Sequence, residues 1–278
     1  MRTITPETAR RISADRPVAL VTGASAGLGR EFARQLAGLG YDLVLVARDA
    51  LRLEELAMEL RDLSGAESEI LAADLSRDDD VTRVVDRIDQ APIHLLVNNA
   101  GFGTRGSLAR TSRDDQDAMV RVHVLAAHRL AQAAVQTMVA RGRGVIINVS
   151  SVASFLTSPG NVNYNSTKTW QRVFIESLAL ELRGKGVYVQ ALCPGYTHTE
   201  FHQRGGMDKN GVPAWWWMDA EDVVASSLRA VRRRRPVVVV PGIGYKMAVL
   251  ILRFLPRWSW NVVVRRIRGR QGSSVKSP

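Results

Sequence analysis

Three side chains that can take part in proton transfer lie close together in the middle of the chain. Tyr164 and Lys168 are four positions apart, which places them on one face of a helix, and Ser151 lies thirteen residues earlier. A tyrosine ionises at about pH 10, so a tyrosine that acts as acid or base near neutrality needs a nearby positive charge, which Lys168 can supply. Ser151 can donate a hydrogen bond to a substrate oxygen that gains charge. The spacing predicts proton transfer to or from an oxygen, and the alternative is an ordinary pair on a helix surface.

A glycine-rich segment, TGASAGLG at residues 22–29, directly follows the first apolar run of the chain. Gly23, Gly27 and Gly29 permit a tight turn and let backbone N–H groups and a helix start come close to a phosphate. The helix dipole favours negative charge at that end. The segment therefore predicts a site for the pyrophosphate of a dinucleotide, and a strand-to-helix turn without a ligand is the alternative.

The second apolar run ends at Ala47 and Arg48. An acidic residue about 20 residues past the glycines would accept hydrogen bonds from the ribose of NAD, and Ala47 provides no acid there. Arg48 instead offers a guanidinium for a 2′-phosphate, and the hydroxyl of Ser25 adds a donor. These residues favour NADP(H) as the cofactor. In the alternative interpretation, Arg48 is a solvated residue at a helix start that Asp49 caps.

Seven short apolar runs alternate with longer segments of helical pattern. The runs begin at Pro17, Asp42, Glu69, Ile93, Gly144, Gly186 and Pro236. The helical segments cover residues 29–39, 49–63, 78–90, 113–140, 164–183 and 219–232. Continuous apolar runs indicate strands that are covered on both faces, as in parallel sheets. The pattern predicts a single α/β domain with a doubly wound, Rossmann-type parallel sheet of about seven strands, in which ligands bind at the carboxyl ends of the strands.

Several motifs occur together in one order along the chain: TGxxxGxG, Asp74-Leu75, NNAG at residues 98–101, Ser151, YxxxK, and PGxxxT at residues 194–199. In this order and spacing the chain resembles the short-chain dehydrogenase/reductase family over roughly residues 18–242. The resemblance implies that the adenosine phosphates are bound by Gly23, Ser25, Gly27, Leu28, Gly29 and Arg48. It implies that Asp74 and Leu75 border the adenine, and that the nicotinamide half is lined by Asn99, Gly101, Tyr164, Lys168, Pro194, Gly195, Thr197 and Thr199. The family commonly pairs subunits through two long helices, so a homo-oligomer, either a dimer or a tetramer, is expected.

One position departs from the family pattern. The family commonly has an asparagine in the long fourth helix, where it helps to connect the lysine to solvent through water, and this chain has His123 there. Histidine ionises near neutrality, so His123 is a candidate for holding a water or passing a proton. The alternative is a buried, neutral packing residue.

Residues 199–219 contain glycines and three consecutive tryptophans, Trp215, Trp216 and Trp217. They follow the sixth strand, where the family has its substrate lid, and a lid combines mobility with apolar area that excludes water. We therefore expect a hydrophobic substrate that is lipid-like or bulky. Alternatively, the tryptophans seal the core or a contact between subunits.

The net charge of +11 is concentrated towards the end of the chain. Residues 223–278 contain thirteen Lys or Arg and no acid, and the rest of the chain has 25 basic against 27 acidic residues. We divide the chain into a leader (1–15), a family domain (16–242) and a basic amphipathic extension (243–278). Charged residues and a proline interrupt the apolar stretch of the extension, which is therefore too short to span a bilayer. It predicts weak peripheral contact with an anionic membrane or a flap over the substrate pocket or a neighbouring subunit, and no nucleic-acid partner is expected.

Cysteine and histidine usage suggests a reducing compartment and no metal. Cys193 is the single cysteine, and the first fifteen residues lack the apolar run of a secretory signal, so a cytoplasmic location is expected. His94, His128, His198 and His202 have no metal-binding spacing, and no metal site is expected.

Taken together, these patterns predict an NADPH-dependent reductase of a ketone or aldehyde, reversible to alcohol oxidation, with Tyr164 as the acid or base. The rival hypothesis is a nucleotide sensor or scaffold that keeps the fold and has lost catalysis, and His123 is the feature in its favour.

Overall fold

The computed structural model describes residues 16–104, 106–200 and 213–254. The predicted leader, most of the predicted lid and the end of the basic extension lie outside these residues.

A seven-stranded parallel sheet forms the centre of the molecule, in the strand order β3-β2-β1-β4-β5-β6-β7. The strands are β1 (Val18–Thr22), β2 (Asp42–Ala47), β3 (Ser68–Ala72), β4 (Leu95–Asn98), β5 (Gly144–Val149), β6 (Val187–Leu192) and β7 (Val238–Val239). Six of the predicted apolar runs contain one of these strands, and β3 begins one residue before the third run. The order reverses between β1 and β4, which is the point where open α/β sheets bind ligands. The predicted Rossmann-type fold class is confirmed.

Helices cover both faces of this sheet. They are α1 (Gly27–Gly38), α2 (Ala50–Ser64), α3 (Asp78–Gln90), α4 (Arg113–Val120, Arg121–Ala126 and Ala127–Ala140), α5 (Val162–Glu181), α6 (Ala220–Arg233) and α7 (Ile243–Phe254). Helices α1, α2 and α6 pack against one face, and α3, α4, α5 and α7 pack against the other. Neighbouring strand residues such as Ala19 and Leu20 enter opposite cores and are both fully buried, which explains why the strands are continuously apolar.

Helix α4 is continuous with the predicted segment 113–140 but is not uniform. Its middle part, Arg121–Ala126, is a π-helix. Single turns of π-helix interrupt the regular hydrogen-bond ladder and are frequent at functional sites. This part contains His123, so the irregular turn lies where the chain departs from the family pattern.

Helix α7 begins one residue after the predicted domain boundary at 242. Tyr245 and Val249, one turn apart, are 7% and 6% exposed and belong to the same core as β5 and α5. The start of the basic extension is therefore packed onto the domain. Within the residues that the structure describes, no helix is both long and apolar enough to cross a membrane.

Candidate active site

The structure brings Ser151, Tyr164 and Lys168 together at the carboxyl end of β5. Ser151 follows this strand and precedes a short 3-10 turn, where its Oγ accepts a hydrogen bond from Ala153 N at 3.1 Å. Tyr164 lies in the first turn of α5, and its hydroxyl hydrogen-bonds the Ser151 hydroxyl. The Lys168 Nζ atom is 5.9 Å from the centre of the Tyr164 ring. A serine, a phenol and an amine are thus within reach of one reacting oxygen.

Lys168 is almost fully buried, with 4% of its surface exposed. Its Nζ donates to the Val149 carbonyl at 2.8 Å and to Gln171 Oε1 at 3.0 Å. Both acceptors are neutral, so burial is not offset by a counter-ion, and it lowers the pKa of Lys168 to about 7.

The expected lowering of the Tyr164 pKa depends on Lys168 together with an oxidised nicotinamide ring, and in the protein without a cofactor burial has the larger effect. Burial raises the pKa of the Tyr164 phenol to about 12, and the hydrogen bond from Ser151 offsets only part of this rise. The reason is that burial disfavours the charged phenolate more than the neutral phenol. Tyr164 is therefore a protonated phenol at pH 7, ready to act as an acid.

His123 is fully buried and uses both of its ring nitrogens. Phe102 N donates to Nε2 at 3.1 Å, so Nε2 is the acceptor and the ring proton is on Nδ1, 2.9 Å from Thr167 Oγ1. The Thr167 hydroxyl in turn donates to the Tyr164 carbonyl at 3.1 Å. Burial, and then the charge of Lys168, hold the pKa of His123 well below its usual range. In this arrangement the ring has no nitrogen left for a water, so the structure supports the neutral packing role and not the proton relay.

The glycine segment forms the floor of a cleft of about 610 Å³ at the sheet's reversal point. Gly23 and Gly27 have φ values of +66° and +54°, which favour glycine, and a Cβ on Gly29 would lie 2.2 Å from the Gly23 carbonyl oxygen. Of the predicted cofactor residues, ten line this cleft: Gly23, Ser25, Gly27, Leu28, Arg48, Asp74, Leu75, Asn99, Gly101 and Thr199. The glycines leave no room for side chains at the start of α1, and the cleft above them has the volume just given. Both features suit the binding of a dinucleotide.

Side-chain hydrogen bonds hold the glycine segment against the end of β4. Asn99 Nδ2 donates to the Thr22 carbonyl at 2.9 Å, and Thr22 Oγ1 accepts from the backbone N atoms of Asn99 and Ala100 at 2.9 and 3.0 Å. Asn99 therefore acts on the shape of the phosphate cradle as well as lining the cleft. Thr22 belongs to the TGxxxGxG motif, but the sequence alone assigned it no role.

Arg48 is exposed at the cleft and has no ion pair or hydrogen bond within the described part of the chain. Asp49 accepts a hydrogen bond from Arg52 N at 3.2 Å and caps α2, as the alternative interpretation expected. The guanidinium of Arg48 is thus available for an anion. Arg52, which the sequence did not single out, pairs with Glu200 at 3.0 Å and connects α2 to the segment after β6 across the cleft.

The segment after β6 comes close to both halves of the site. A Cβ on Gly27 would lie 3.1 Å from Thr199 Cβ, and Thr197 is 3% exposed and donates from Oγ1 to the Gly195 carbonyl at 3.1 Å. Pro194 O accepts from Val152 N at 3.0 Å, next to Ser151. A Cβ on Gly195 would lie 2.0 Å from the Tyr245 ring, so only glycine lets α7 pack here.

The three tryptophans have three different environments. Trp216 packs edge-on against Tyr245 of α7 with ring centres 4.6 Å apart, which agrees with the core-sealing alternative. Trp217 stacks on His198 at 5.1 Å, and Trp215 is 74% exposed. Lid residues 201–212 lie outside the described residues, so the lid interpretation stays a prediction.

The remaining histidines and the cysteine have structural surroundings. His94 Nδ1 accepts from Val18 N at 2.9 Å, and His128 packs on aromatic rings of α5, whereas His202 lies outside the described residues. Cys193 is fully buried, and burial raises the pKa of its thiol to about 11. Within the described residues, no group of three or more His, Cys, Asp or Glu side chains could hold a metal ion.

Comparison with known proteins agrees with this geometry. The profile of the short chain dehydrogenase family matches residues 17–210. The chain is 34% identical over 224 residues to the gluconate 5-dehydrogenase of Gluconobacter oxydans (strain 621H), which covers 76% of this chain and 85% of that protein.

Two solved structures are similar over nearly the whole chain. A short-chain dehydrogenase from Sphingobium yanoikuyae in complex with NADPH has a TM-score of 0.78 and 33% identity, covering 94% of this chain and 97% of that chain. A bulky-bulky ketone specific alcohol dehydrogenase from Comamonas testosteroni has a TM-score of 0.74 and 30% identity, covering 94% of this chain and 96% of that chain. The chain therefore belongs to the short-chain dehydrogenase/reductase family, whose members are oxidoreductases that act on C–OH and C=O groups with a nicotinamide cofactor.

Proposed function

We propose that this protein reduces a ketone or aldehyde with NADPH and that Tyr164 donates the proton. The observation that carries the proposal is the cluster of Ser151, Tyr164 and Lys168 beside a glycine-floored cleft. When bound, NADPH supplies the hydride for the carbonyl carbon. The reaction is reversible in principle to alcohol oxidation.

The three side chains have separate tasks in this proposal. Ser151 donates a hydrogen bond to the carbonyl oxygen and holds it beside the phenol, so that developing negative charge meets preplaced donors. Tyr164, protonated because its pKa is about 12, gives its proton to that oxygen. Lys168 then stabilises the phenolate by its charge, which its bonds to Val149 O and Gln171 Oε1 hold in place.

Preference for NADPH rests on Arg48. Its guanidinium has no partner within the described residues, Ala47 offers no acid to a ribose, and Ser25 lines the same cleft. The related structure from Sphingobium yanoikuyae contains NADPH, which supports this preference. The change Arg48→Asp is expected to raise the Kd for NADPH by about tenfold to a hundredfold relative to NADH, since a charged hydrogen bond contributes about 1.5–3 kcal/mol. Fluorescence titration measures both constants, with Arg183→Asp as the control on an exposed site; equal loss for both cofactors would contradict the role.

A bulky apolar substrate is the second part of the proposal. Aromatic residues follow the strands that end at the site: Phe102 after β4 lines the cleft, Phe155 is in the turn after Ser151, and Tyr196 and Trp217 after β6 have ring centres 5.5 Å apart. The ketone reductase from Comamonas testosteroni is named for bulky-bulky ketones, whereas the relative from Gluconobacter oxydans is named for the polar substrate gluconate. The aromatic surroundings favour the first type.

The test is NADPH oxidation against ketones and aldehydes of increasing bulk, with gluconate-like polar compounds in the same panel. We expect Tyr164→Phe to lower turnover at least about 10²-fold with little change in the Kd for NADPH. Tyr188→Phe is the matched control, because it also removes a buried hydroxyl that makes a hydrogen bond, at 2.7 Å to Pro236 O, away from the cleft. Tight NADPH binding with no oxidation on any compound would favour the rival hypothesis, a sensor or scaffold.

A peripheral contact with an anionic membrane is a further part of the proposal. The outward face of α7 is apolar and exposed, through Ile243, Met247, Leu250, Ile251 and Phe254, each at least 48% exposed. Beside it lies a cavity of about 480 Å³ with an apolar floor and four cations at its edge, namely Arg229, Arg233, Arg235 and Lys246. None of the four has an ion pair to a described residue. An apolar ridge next to unpaired cations fits lipid chains next to phosphate headgroups, while a second copy would bring like charges together.

Sedimentation with vesicles tests the membrane contact in the full chain. We expect binding to vesicles that contain phosphatidylglycerol, weakened by salt, and little binding to phosphatidylcholine alone. Met247→Glu combined with Ile251→Glu is expected to weaken binding about tenfold. The control Leu63→Glu with Leu180→Glu, at sites elsewhere that are even more exposed, is not expected to weaken it. Binding that ignores both lipid charge and the α7 variant would contradict the contact.

Location and assembly complete the proposal. We place the enzyme in the cytoplasm at the membrane surface, as a homo-oligomer of the kind that the family resemblance implies.

A further inference from the structure

A buried glutamine lies one helical turn after Lys168. Gln171 is 1% exposed, and its Oε1 atom accepts a hydrogen bond from Lys168 Nζ at 3.0 Å. Its Nε2 atom donates to the His123 carbonyl at 3.0 Å. The carboxamide therefore spans the gap between the amine of α5 and the π-helical part of α4, with both of its ends occupied.

We propose that Gln171 is a positioning residue for the reaction, because its carboxamide holds the ammonium of Lys168 in place and closes the interior side of that group. The inference rests on the proposed function of Lys168. It assigns a role to a side chain that belongs to none of the motifs in the sequence.

The hydrogen bonds around Lys168 explain how Gln171 positions it. An ammonium has three N–H donors, and here two of them go to Val149 O and Gln171 Oε1. Both acceptors belong to rigid elements, β5 and α5, so the direction of the third donor is determined. Within the described residues that donor has no hydrogen-bond partner, and the centre of the Tyr164 ring lies 5.9 Å from Nζ.

The chemistry of the carboxamide has a second consequence. A carboxylate in the place of the carboxamide would give Lys168 a counter-ion. A water molecule in the same place could accept a proton and pass another one on. The amide of Gln171 does neither, because it stays neutral and keeps a fixed donor and a fixed acceptor. A proton that replaces the one lost by Tyr164 therefore does not reach Lys168 through the side chain of Gln171.

The titratable groups around Lys168 give it no compensating charge. They are Tyr164 on the same helix, His123 on α4 and Cys193 after β6, and all three are neutral at pH 7, since the pKa of the thiol is about 11, that of the phenol is about 12 and that of the imidazole is lowered. A change at position 171 is thus expected to act directly on the ionisation of Lys168.

The experiment reads this ionisation without turnover. The chain has five lysines, so a protein labelled with ¹³C at the lysine Cε gives five signals, and Lys168→Arg identifies one of them. In the cofactor-free protein, Gln171→Glu is expected to raise the titration midpoint of Lys168 by at least about one pH unit, because an opposite charge then contacts it. Gln171→Met is expected to lower the midpoint by about half a unit or more, because an acceptor of the charged form is lost.

Gln190→Met is the matched control. Gln190 is also fully buried and hydrogen-bonded, to Tyr188 and Ser227, but it does not touch Lys168. This variant loses a buried amide at similar cost, and its Lys168 midpoint is expected to stay within about 0.3 unit of the original. Gln171→Glu keeps the shape of the side chain, so it serves if Gln171→Met does not fold.

Kinetics separate the inference from the proposed function. If the original protein reduces carbonyl compounds, Gln171→Met is expected to lower kcat about tenfold or more and to change KM for the carbonyl less than about twofold. An unchanged midpoint and an unchanged kcat in both Gln171 variants would overturn the inference and leave the proposed function intact. An original protein that reduces nothing, with the midpoint shifted as expected, would overturn the proposed function while supporting the control of Lys168 by Gln171.

Discussion

The buried amine of Lys168 makes the stability of the protein depend on pH in one direction. Burial lowers its pKa to about 7 in the folded protein, from an ordinary value of 10.5. Between these two values the folded protein has released the proton and the unfolded chain still holds it. Because the unfolded chain then binds more protons, the free energy of unfolding rises with pH across this window, and the cost of burying the charge is greatest below pH 7.

The size of the effect follows from the same shift. Each pH unit inside the window adds up to about 1.4 kcal/mol to the free energy of unfolding. Integrated from pH 6 to pH 9, where the folded protein goes from protonated to neutral, the contribution of Lys168 is about 3 kcal/mol. The variant Lys168→Met has no ionisable group there, so its stability is expected to lack this rise, whatever its stability at a single pH.

Urea unfolding followed by tryptophan fluorescence, at steps from pH 6 to pH 9, measures the two curves. Groups that titrate in both proteins cancel when the curves are subtracted. The control is Lys185→Met, because Lys185 is exposed after α5 and is expected to leave the slope unchanged. Parallel curves for the original protein and Lys168→Met, or a difference that shrinks as the pH rises, would refute the reasoning.

Three other substitutions test the packing around the site. Gly29→Ala places a Cβ 2.2 Å from the Gly23 carbonyl oxygen, so we expect the Kd for NADPH to rise at least about tenfold in a fluorescence titration, and unchanged binding would contradict the cradle. Thr167→Val leaves the ring N–H of His123 without its partner and is expected to lower the free energy of unfolding by about 1–3 kcal/mol in urea; no loss would contradict the assigned ring proton. Tyr245→Phe removes two hydrogen bonds that join α7 to the segment after β6, so a loss of about 1–3 kcal/mol is expected from thermal unfolding, and an unchanged midpoint would show that α7 does not depend on them.

Much of the fold could be predicted because both faces of the sheet are covered. Strands such as Val18–Thr22 and Asp42–Ala47 are fully buried, and a run of apolar residues is the direct consequence of that burial. The shortest strand, Val238–Val239, was predicted too long, as the run that begins at Pro236. Hydrophobicity does not show where strand pairing stops. The helices at 78–90 and 113–140 have the predicted bounds, and the other predicted bounds differ by one or two residues, since caps and not apolar pattern determine the ends.

The parts of the candidate site that could be predicted are those built from residues of particular types only a few positions apart in the sequence. Tyr164 and Lys168 share a helix face, and the three glycines precede a helix, so both features follow from local geometry. Arg52 and Glu200 are 148 residues apart in the chain, and no pattern links them before the fold brings them together. Gln171 was not recognised for another reason: a glutamine on a helix is usually exposed, and nothing in the sequence indicates that this one is buried.

The order of residues along the chain was enough to determine the sheet, its helices, the phosphate cradle and the types of side chain available for proton transfer, because each of these depends on periodicity or on a few neighbouring residues. Only the tertiary structure decided the ionisation of those side chains. It raised the pKa of Tyr164, lowered that of Lys168, and engaged both ring nitrogens of His123. The physical reason is that a pKa depends on solvent exclusion and on partners from other elements, and such partners meet only after the chain has folded.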